Sequence, residues 1–516
     1  AAPAAPLVPE PPVRAAVLLS DGERRLLAQR PEIEDAYALA PLQQGMLFHT
    51  LKQPEGLHFR SQICFRLDGH LDPEIFQHAW ETAAARHSAL RTAFVWEAVD
   101  QPLQVVFRQV ELPFERLDLR HLTAEERERQ VQAIWQADRE EGFELTQAPL
   151  MRFHLIRTGE MEHRLLWTYH HLLLDGWSLG ILTDEVLALY EARRRGEEAV
   201  LPAPGLYRDF IAHLQRQDLA PAEQFWRQQL AGFSAPTPLG IDHAPEAGGR
   251  LHDPHGTQEV RLTATTTATL KSLARDQELT LNVLMQGLWA VLLSHYSGQR
   301  EVLFAMAVSG RPAELAGVES TVGLFIHTVP VRADVPPQAP LLPWLRELQQ
   351  RHSAILQHQL TPPLLLRRWA GVPAGTRFYE SFLVFQNYPA ARVPPHGRTL
   401  DLAIESTRGA TETPLSLVID PAAELSLRIN YDRGRLRDDT VARTLGHLQT
   451  MLASVAADPD QVLGAIPFLT EAERRELLAP SAATAPEPPE LDLDRMSDED
   501  VERMLAQLLA AEPKEA

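Results

Sequence analysis

The sequence contains one cysteine, Cys64, among its 516 residues. A single cysteine excludes an internal disulfide and a cysteine-based metal cluster, and it is typical of a reducing compartment. No uninterrupted apolar run is long enough to span a bilayer. The first residues, Ala1 to Pro6, lack the basic and apolar regions of a signal peptide. We therefore expect a cytoplasmic protein with no membrane partner.

Basic residues are few relative to acidic ones. The chain has 49 Lys and Arg against 69 Asp and Glu, which gives a net charge of -20. Such a field repels nucleic acid and anionic membrane surfaces, so neither is an expected partner. The apolar fraction of 45% is ordinary for a globular protein, and 516 residues exceed the usual size of one core.

Composition divides the chain into four parts. Residues 1–33 are predicted to be an Ala/Pro-rich linker and a short charged helix. Residues 34–200 and 201–480 are predicted to form two lobes, with a Pro-containing boundary near Gly196 to Gly205. Residues 481–516 contain a second Ala/Pro-rich linker and an amphipathic helix. The active site is expected in a cleft between the two lobes.

Hydrophobic periodicity predicts a mixed α/β (α+β) fold. The predicted strands are residues 62–67, 104–107, 164–170, 302–307, 328–332, 382–385 and 425–431. The predicted helices are residues 73–85, 124–140, 177 or 178 to 195, 222–232 and 281–296.

The segment from His170 to Gly176, His-His-Leu-Leu-Leu-Asp-Gly, is the candidate active site. A His pair alone is expected about once by chance in this composition, but Asp and Gly at fixed offsets make the segment specific. It joins a predicted strand to a predicted helix. Because adjacent strand residues face opposite sides, we expect His170 to be buried and His171 to face a cleft.

His171 is the predicted catalytic residue. A cleft-facing imidazole can accept a proton from a nucleophile or hold that nucleophile in line. The Gly176 amide, at a helix N-terminus, can stabilise developing negative charge. These features suit acyl transfer between two bound substrates. No Cys or Ser is placed for a covalent acyl-enzyme, so direct transfer is expected.

The other residues of the segment are predicted to support His171. His170 has a packed, hydrogen-bonded role, and Asp175 holds the loop through an ion pair. The candidate partners of Asp175 are Arg86, Arg91 and Arg311, and the sequence does not choose among them. An unpaired buried carboxylate would cost several kcal/mol.

A metal site is the alternative interpretation, because His170, His171 and Asp175 are all ligand types. Opposed strand faces make joint ligation by both histidines awkward, and no cysteine-rich cluster or second His pair stands nearby. We expect neither a metal nor a cofactor bound by the chain itself.

Seven segments in order resemble the condensation domains of non-ribosomal peptide synthetases, over about residues 35–475. The family signature is His-His-x-x-x-Asp-Gly, as at His170 to Gly176. The other similar segments are Tyr37 to His49, Arg86 to Phe94, Tyr207 to Phe210, Ser309 to Pro312, Val322 to Arg332 and Phe385 to Pro389.

The resemblance implies two chloramphenicol-acetyltransferase-like lobes in a V-shaped pseudo-dimer with a central tunnel. Donor and acceptor peptidyl carrier domains would dock on opposite faces, with neighbouring synthetase domains or subunits as further partners. Their phosphopantetheine arms would meet at His171, where the acceptor amine attacks the donor thioester to form a peptide bond. Phosphopantetheine would be carried by these partners.

The resemblance also bears on the subtype. Trp177-Ser178 after the signature differs from epimerisation domains, and cyclisation domains replace both signature histidines. The additional His pair of dual epimerising and condensing members is absent near the opening motif. The opening segment, residues 42–49, is most similar to members with a D-configured donor and an L-configured acceptor.

Two other functions stay open. A related acyltransferase would use a free alcohol or amine acceptor, and a non-catalytic module of the same fold would recruit carriers or tailoring enzymes. The intact signature and the seven matching segments favour condensation.

The amphipathic segment after Ser497 also has two interpretations. Its apolar stripe has helical spacing, and acidic residues open its first turn. It is a docking segment that binds another synthetase subunit, or it is a helix that folds back on the body of its own chain. The stripe consists of Val501, Met504, Leu505, Leu508 and Leu509.

Overall fold

The computed structural model describes residues 30–478, except residues 54–55, 58, 234, 244–253, 374–375, 388–398 and 410–412. The predicted linkers, the short charged helix, the C-terminal amphipathic helix, and Tyr388 and Pro389 of the last motif lie outside the described residues. The chain forms two compact units, Ala1–Phe468 and Leu469–Ala516.

Strands and helices alternate along the described residues. The strands are β1 (Ile33–Ala38), β2 (Arg60–Gly69), β3 (Thr92–Val95), β4 (Leu103–Phe107), β5 (Phe114–Asp118), β6 (Met151–Arg157), β7 (Glu162–His170), β8 (His255–Arg261), β9 (Glu301–Val308), β10 (His327–Asp334), β11 (Ser381–Phe385), β12 (Leu400–Arg408), β13 (Leu415–Asp420) and β14 (Ser426–Asp432). The helices are α1 (Pro41–Lys52), α2 (Pro73–Arg86), α3 (Ala124–Glu141), α4 (Gly176–Arg194), α5 (Tyr207–Gln215), α6 (Ala220–Gln229), α7 (Ala264–Asp276), α8 (Leu281–Ser297), α9 (Leu341–Gln357), α10 (Pro363–Trp369), α11 (Asp438–Ala457) and α12 (Glu471–Leu478).

The strands form three sheets within the first unit. A six-stranded sheet has the order β10-β9-β11-β13-β14-β8, and a five-stranded sheet has the order β12-β2-β7-β6-β5. A small sheet joins β1, β4 and β3. Strand β12 comes late in the sequence but pairs antiparallel with β2, so the chain crosses from one large sheet to the other.

The mixed α/β prediction is confirmed, and each strand and helix predicted within the described residues is present within a few residues of its expected bounds. The central tunnel and the division into lobes at residue 200 stay predictions.

Two large hydrophobic clusters fill the first unit. One is formed mainly by residues between Leu39 and Tyr190 and includes Trp80, Phe153 and Trp167. The other runs from Ala222 to Ile466 and is centred on helix α8. Eleven residues of α8 are buried, which explains its nearly uniform apolar sequence. None of the helices within the described ranges is both long and apolar enough to span a membrane.

A buried polar network fixes β2 and β7 close to the candidate site. The carboxylate of Asp138 on α3 accepts hydrogen bonds from Thr168 and Arg152, and His154 Nε2 lies 3.2 Å away. Gln62 donates to both Asp138 and Thr168. Thr168 lies two residues before His170, so this network supports the end of β7.

The contacts of Asp138 should make part of the free energy of unfolding depend on pH in the acid range. Burial alone would raise the pKa of Asp138, but hydrogen bonds from His154, Thr168 and Arg152 outweigh it and lower the pKa from 3.8 to about 2. A depressed pKa stabilises the fold above pH 3.8, and the contribution is lost as the pH falls towards 2. We expect Asp138→Asn to remove about 2 kcal/mol of pH-linked stability.

Urea unfolding of the wild type and Asp138→Asn between pH 2 and 6 measures this term. The difference in free energy of unfolding between the wild type and Asp138→Asn should become smaller as the pH falls below 4. A difference in free energy of unfolding that stays constant across this pH range would show that the pKa of Asp138 is not lowered in the folded protein.

Candidate active site

The candidate loop is held at both ends by regular structure. Strand β7 ends at His170, and Gly176 is the first residue of α4. At this first helical position the Gly176 N–H has no acceptor within the helix. The loop therefore has the predicted strand-to-helix position.

His170 is buried, with 2% of its surface exposed. Its Nδ1 accepts a hydrogen bond from the Leu172 N–H at 3.2 Å, so Nε2 carries the proton and faces Thr50 Oγ1 at 3.4 Å. Burial, followed by the charges of His171 and Arg60, lowers the pKa of His170 from 6.5 to about 3. His170 is thus a neutral, hydrogen-bonded residue of the loop.

His171 is only partly buried, unlike its neighbour. Its backbone N–H donates to the Phe59 carbonyl at 2.7 Å. Nδ1 is enclosed and has no hydrogen-bond partner among the described residues. Burial lowers the pKa of His171 below 6.5, and the His171 and Leu174 carbonyls and the Asp175 carboxylate oppose that shift. The imidazole is therefore mainly neutral at pH 7.

Asp175 connects the start of α4 to the segment before β10. Its carboxylate caps the helix by accepting from the Ser178 N–H at 2.9 Å and hydroxyl at 2.8 Å. The second oxygen accepts from the Phe325 N–H at 3.1 Å. The Asp175 N–H donates to the Gly323 carbonyl at 3.2 Å. Since donors surround both oxygens, the geometry suits a structural role.

Of the three candidate arginines, Arg311 lies against Asp175. Its Nη2 is 3.2 Å from Asp175 Oδ1, and both side chains are almost completely buried (4% and 5% exposed). The guanidinium also lies 4.0 Å from the centre of the Phe325 ring.

Arg86 and Arg91 are not partners of Asp175 in the structure. Arg86 pairs with Glu185 on α4, and Arg91 pairs with Glu34. Both arginines pair with other acidic groups. The partner of Asp175 is Arg311, which lies far away in the sequence, in the segment after β9.

Sequence reasoning missed Ser178, Gly323 and Phe325 as neighbours of Asp175. The Ser178 hydroxyl lies 2.8–3.2 Å from Asp175, Gly323 and Arg311, and it is completely buried. Gly323 and Arg311 belong to segments already singled out, but a motif gives no signal for a contact more than a hundred residues away.

Gly323 has no room for a side chain. A Cβ there would overlap the buried Tyr207 ring, whose hydroxyl donates to the Leu324 carbonyl at 2.6 Å. We expect Gly323→Ala to lower the free energy of unfolding by about 1–3 kcal/mol through this overlap. Gly180→Ala is the matched control, because nothing lies within 4 Å of its added Cβ. Equal unfolding midpoints for the two variants would contradict this packing.

Gln43 of the opening motif supports the loop from the other side. Its Nε2 donates to the Leu172 carbonyl at 2.8 Å and to Gln104 Oε1 at 2.9 Å. Its Oε1 accepts from the Ala40 N–H, so the buried side chain is fully paired. The opening motif therefore fixes the backbone directly after His171.

Potential metal ligands do not cluster at this site. Within the described ranges, no group of three or more His, Cys, Asp or Glu side chains could hold a metal ion. At His170, Nδ1 already accepts the Leu172 N–H, so that nitrogen is occupied. The observed contacts of His170 and Asp175 are those of loop supports.

A family model described as "Condensation domain" matches residues 33–478. The chain belongs to the condensation domain family. A linear gramicidin synthase protein of Brevibacillus parabrevis is 39% identical over 457 residues, which are 88% of this chain and 6% of that protein. The chain spans only a small part of the length of that relative. The family match and the synthetase relatives together make it a condensation domain of the non-ribosomal peptide synthetase type. That family is one of acyltransferases.

Solved structures show the same fold. The first condensation domain of the calcium-dependent antibiotic synthetase has a TM-score of 0.72 at 19% identity, covering 85% of this chain and all of that one. A chain of the complex of the X-domain and OxyB from teicoplanin biosynthesis has a TM-score of 0.69 at 24% identity. The match covers 86% of this chain and 97% of that one. The chloramphenicol-acetyltransferase-like fold prediction is confirmed.

Proposed function

We propose that this condensation domain forms a peptide bond between two carrier-bound substrates, with His171 as the catalytic residue. The observation that carries the proposal is the contrast within the His pair. His170 is buried, paired and neutral, whereas His171 is partly exposed and its Nδ1 is enclosed without a hydrogen-bond partner among the described residues. We infer from this contrast that Nε2 of His171 meets the substrate.

The proposed reaction is aminolysis of a thioester. The acceptor amine attacks the donor carbonyl carbon, the carbon–sulfur bond breaks, and the donor thiol leaves with a proton. Neutral His171 Nε2 accepts a hydrogen bond from the attacking amine, takes one proton from its nitrogen as the carbon–nitrogen bond forms, and passes that proton to the departing thiolate. Since the pKa of His171 lies below 6.5, the imidazole is available as an acceptor at pH 7.

A backbone N–H at the start of α4 is the second catalytic group that we propose. The Gly176 N–H, unpaired within its helix, stabilises negative charge on the carbonyl oxygen in the tetrahedral intermediate. The Asp175 and Arg311 ion pair fixes that helix start relative to His171. These rigid supports favour catalysis by positioning.

The substrates in this proposal arrive on phosphopantetheine arms of donor and acceptor carrier domains. The similarity to synthetase proteins several times longer than this chain supports carriers and neighbouring synthetase domains as partners. The opening segment supports a D-configured donor and an L-configured acceptor.

A second candidate function is the recruitment of a partner protein without catalysis. The fold is shared with a chain from the complex of an X-domain and OxyB, so it also suits protein binding. The intact His-His-Leu-Leu-Leu-Asp-Gly segment favours the catalytic proposal.

A competition among acceptors tests the proposal. A donor-loaded carrier is offered an aminoacyl carrier, a free amino acid and a free alcohol, and products are followed by mass spectrometry. We expect product on the carrier-bound amine, with a D-configured donor preferred over its L-isomer. Transfer only to free acceptors would indicate the related acyltransferase, and carrier binding without any transfer would indicate recruitment.

A further inference from the structure

Phe59 has a left-handed backbone conformation directly beside the candidate loop. Its φ angle is 61°, in a region that favours glycine. The next residue, Arg60, begins β2 and is the register partner of His170. A bulky residue in this region persists only where surrounding contacts determine it, and such positions concentrate at functional sites.

Phe59 contacts both members of the His pair. Its carbonyl oxygen accepts the His171 N–H at 2.7 Å. The centre of its ring lies 6.5 Å from that of His170, at an interplanar angle of 43°. The left-handed turn thus directs the carbonyl to His171 at the point where the β2–β7 pairing ends.

The other supports of the loop act further along the chain. Gln43 holds the Leu172 carbonyl, and Arg311 holds Asp175. The Phe59 carbonyl holds the backbone at His171 itself, so a shift there would move the imidazole directly.

We propose that Phe59 is a positioning residue for His171, whose left-handed backbone sets the point from which the imidazole projects. This inference rests on the proposed function of His171. Phe59 acts through the His171 backbone and does not touch the reacting atoms.

Two substitutions distinguish the effect of the backbone conformation at Phe59 from the effect of its aromatic ring. Phe59→Gly removes the ring but adopts a positive φ without strain. Valine disfavours a positive φ because its side chain is branched at Cβ. In Phe59→Val the carbonyl of residue 59 should therefore turn away from His171. Glu278→Val is the matched control, since Glu278 has a φ of 56° just after the end of α7.

We expect Phe59→Val to lower kcat by about 100-fold with the KM for both carriers nearly unchanged, because a displacement of about 1 Å costs this much. Phe59→Gly should lower kcat by about tenfold or less. Hydrogen exchange at the His171 amide should be slow in the wild type and Phe59→Gly, and fast in Phe59→Val. Glu278→Val should lower the melting temperature and leave kcat unchanged.

Wild-type kcat or slow His171 exchange in Phe59→Val would overturn the inference. A loss of kcat equal in Phe59→Gly and Phe59→Val would also overturn it, since the ring would then explain the effect. A wild-type protein that forms no product would contradict the proposed function instead, and the exchange comparison would still decide whether Phe59 positions His171.

Discussion

His171→Ala should reduce product formation by about 100-fold or more while the protein remains folded. Proton transfer by a positioned side chain contributes about 10²–10⁴-fold to a rate. His171 is partly exposed and its Nδ1 has no hydrogen-bond partner among the described residues, so we expect the variant to keep its fold. The rate is measured in single turnovers with two loaded carriers, and folding by thermal melting.

The matched control is His78→Ala, whose side chain is 48% exposed on α2. It should retain wild-type rate and melting temperature. His171→Asn provides a further comparison, because the amide can hold the acceptor amine but cannot take its proton. A wild-type rate in His171→Ala would remove His171 from the chemistry. A rate restored by His171→Asn would assign it to positioning alone.

Asp175→Ala should lower the free energy of unfolding by about 3–5 kcal/mol, because it leaves the buried Arg311 guanidinium without its carboxylate. The same change removes the cap of α4 and the acceptor of the Phe325 N–H. We expect a low yield of folded protein and little condensation activity, measured by urea unfolding and the two-carrier assay.

The control for Asp175 is Asp72→Ala. Asp72 caps α2 by accepting from the Glu74 and Ile75 amides, but it lies at an exposed position. Loss of a cap alone costs about 1 kcal/mol. If Asp175→Ala were no more destabilising than Asp72→Ala, the ion pair with Arg311 would contribute nothing measurable.

Local pattern was sufficient to predict the form of the candidate loop. Periodicity gave the strand that ends at His170 and the helix that follows. These features depend on neighbours in the sequence, where side-chain spacing is directly visible. His171 lies one residue beyond the end of β7, so the alternation of strand faces does not by itself explain why it is less buried than His170.

The contacts that fix the loop could not be predicted in the same way. Arg311 is 136 residues from Asp175, and local spacing carries no information about that pairing. The pairing of strand β12 with β2 could not be predicted for the same reason, since β12 completes a sheet whose other strands precede it by more than two hundred residues. The left-handed conformation of Phe59 has no sequence signal, because phenylalanine is not a residue type that favours it.

The most direct test of the proposed reaction is the mass of all three proteins in one turnover. The condensation domain is mixed with a donor-loaded carrier and an aminoacyl carrier, and each intact mass is followed with time. We predict that the donor acyl group moves to the acceptor carrier while the mass of the condensation domain stays constant. An acyl adduct on the condensation domain, or release of the donor by hydrolysis alone, would contradict direct aminolysis at His171.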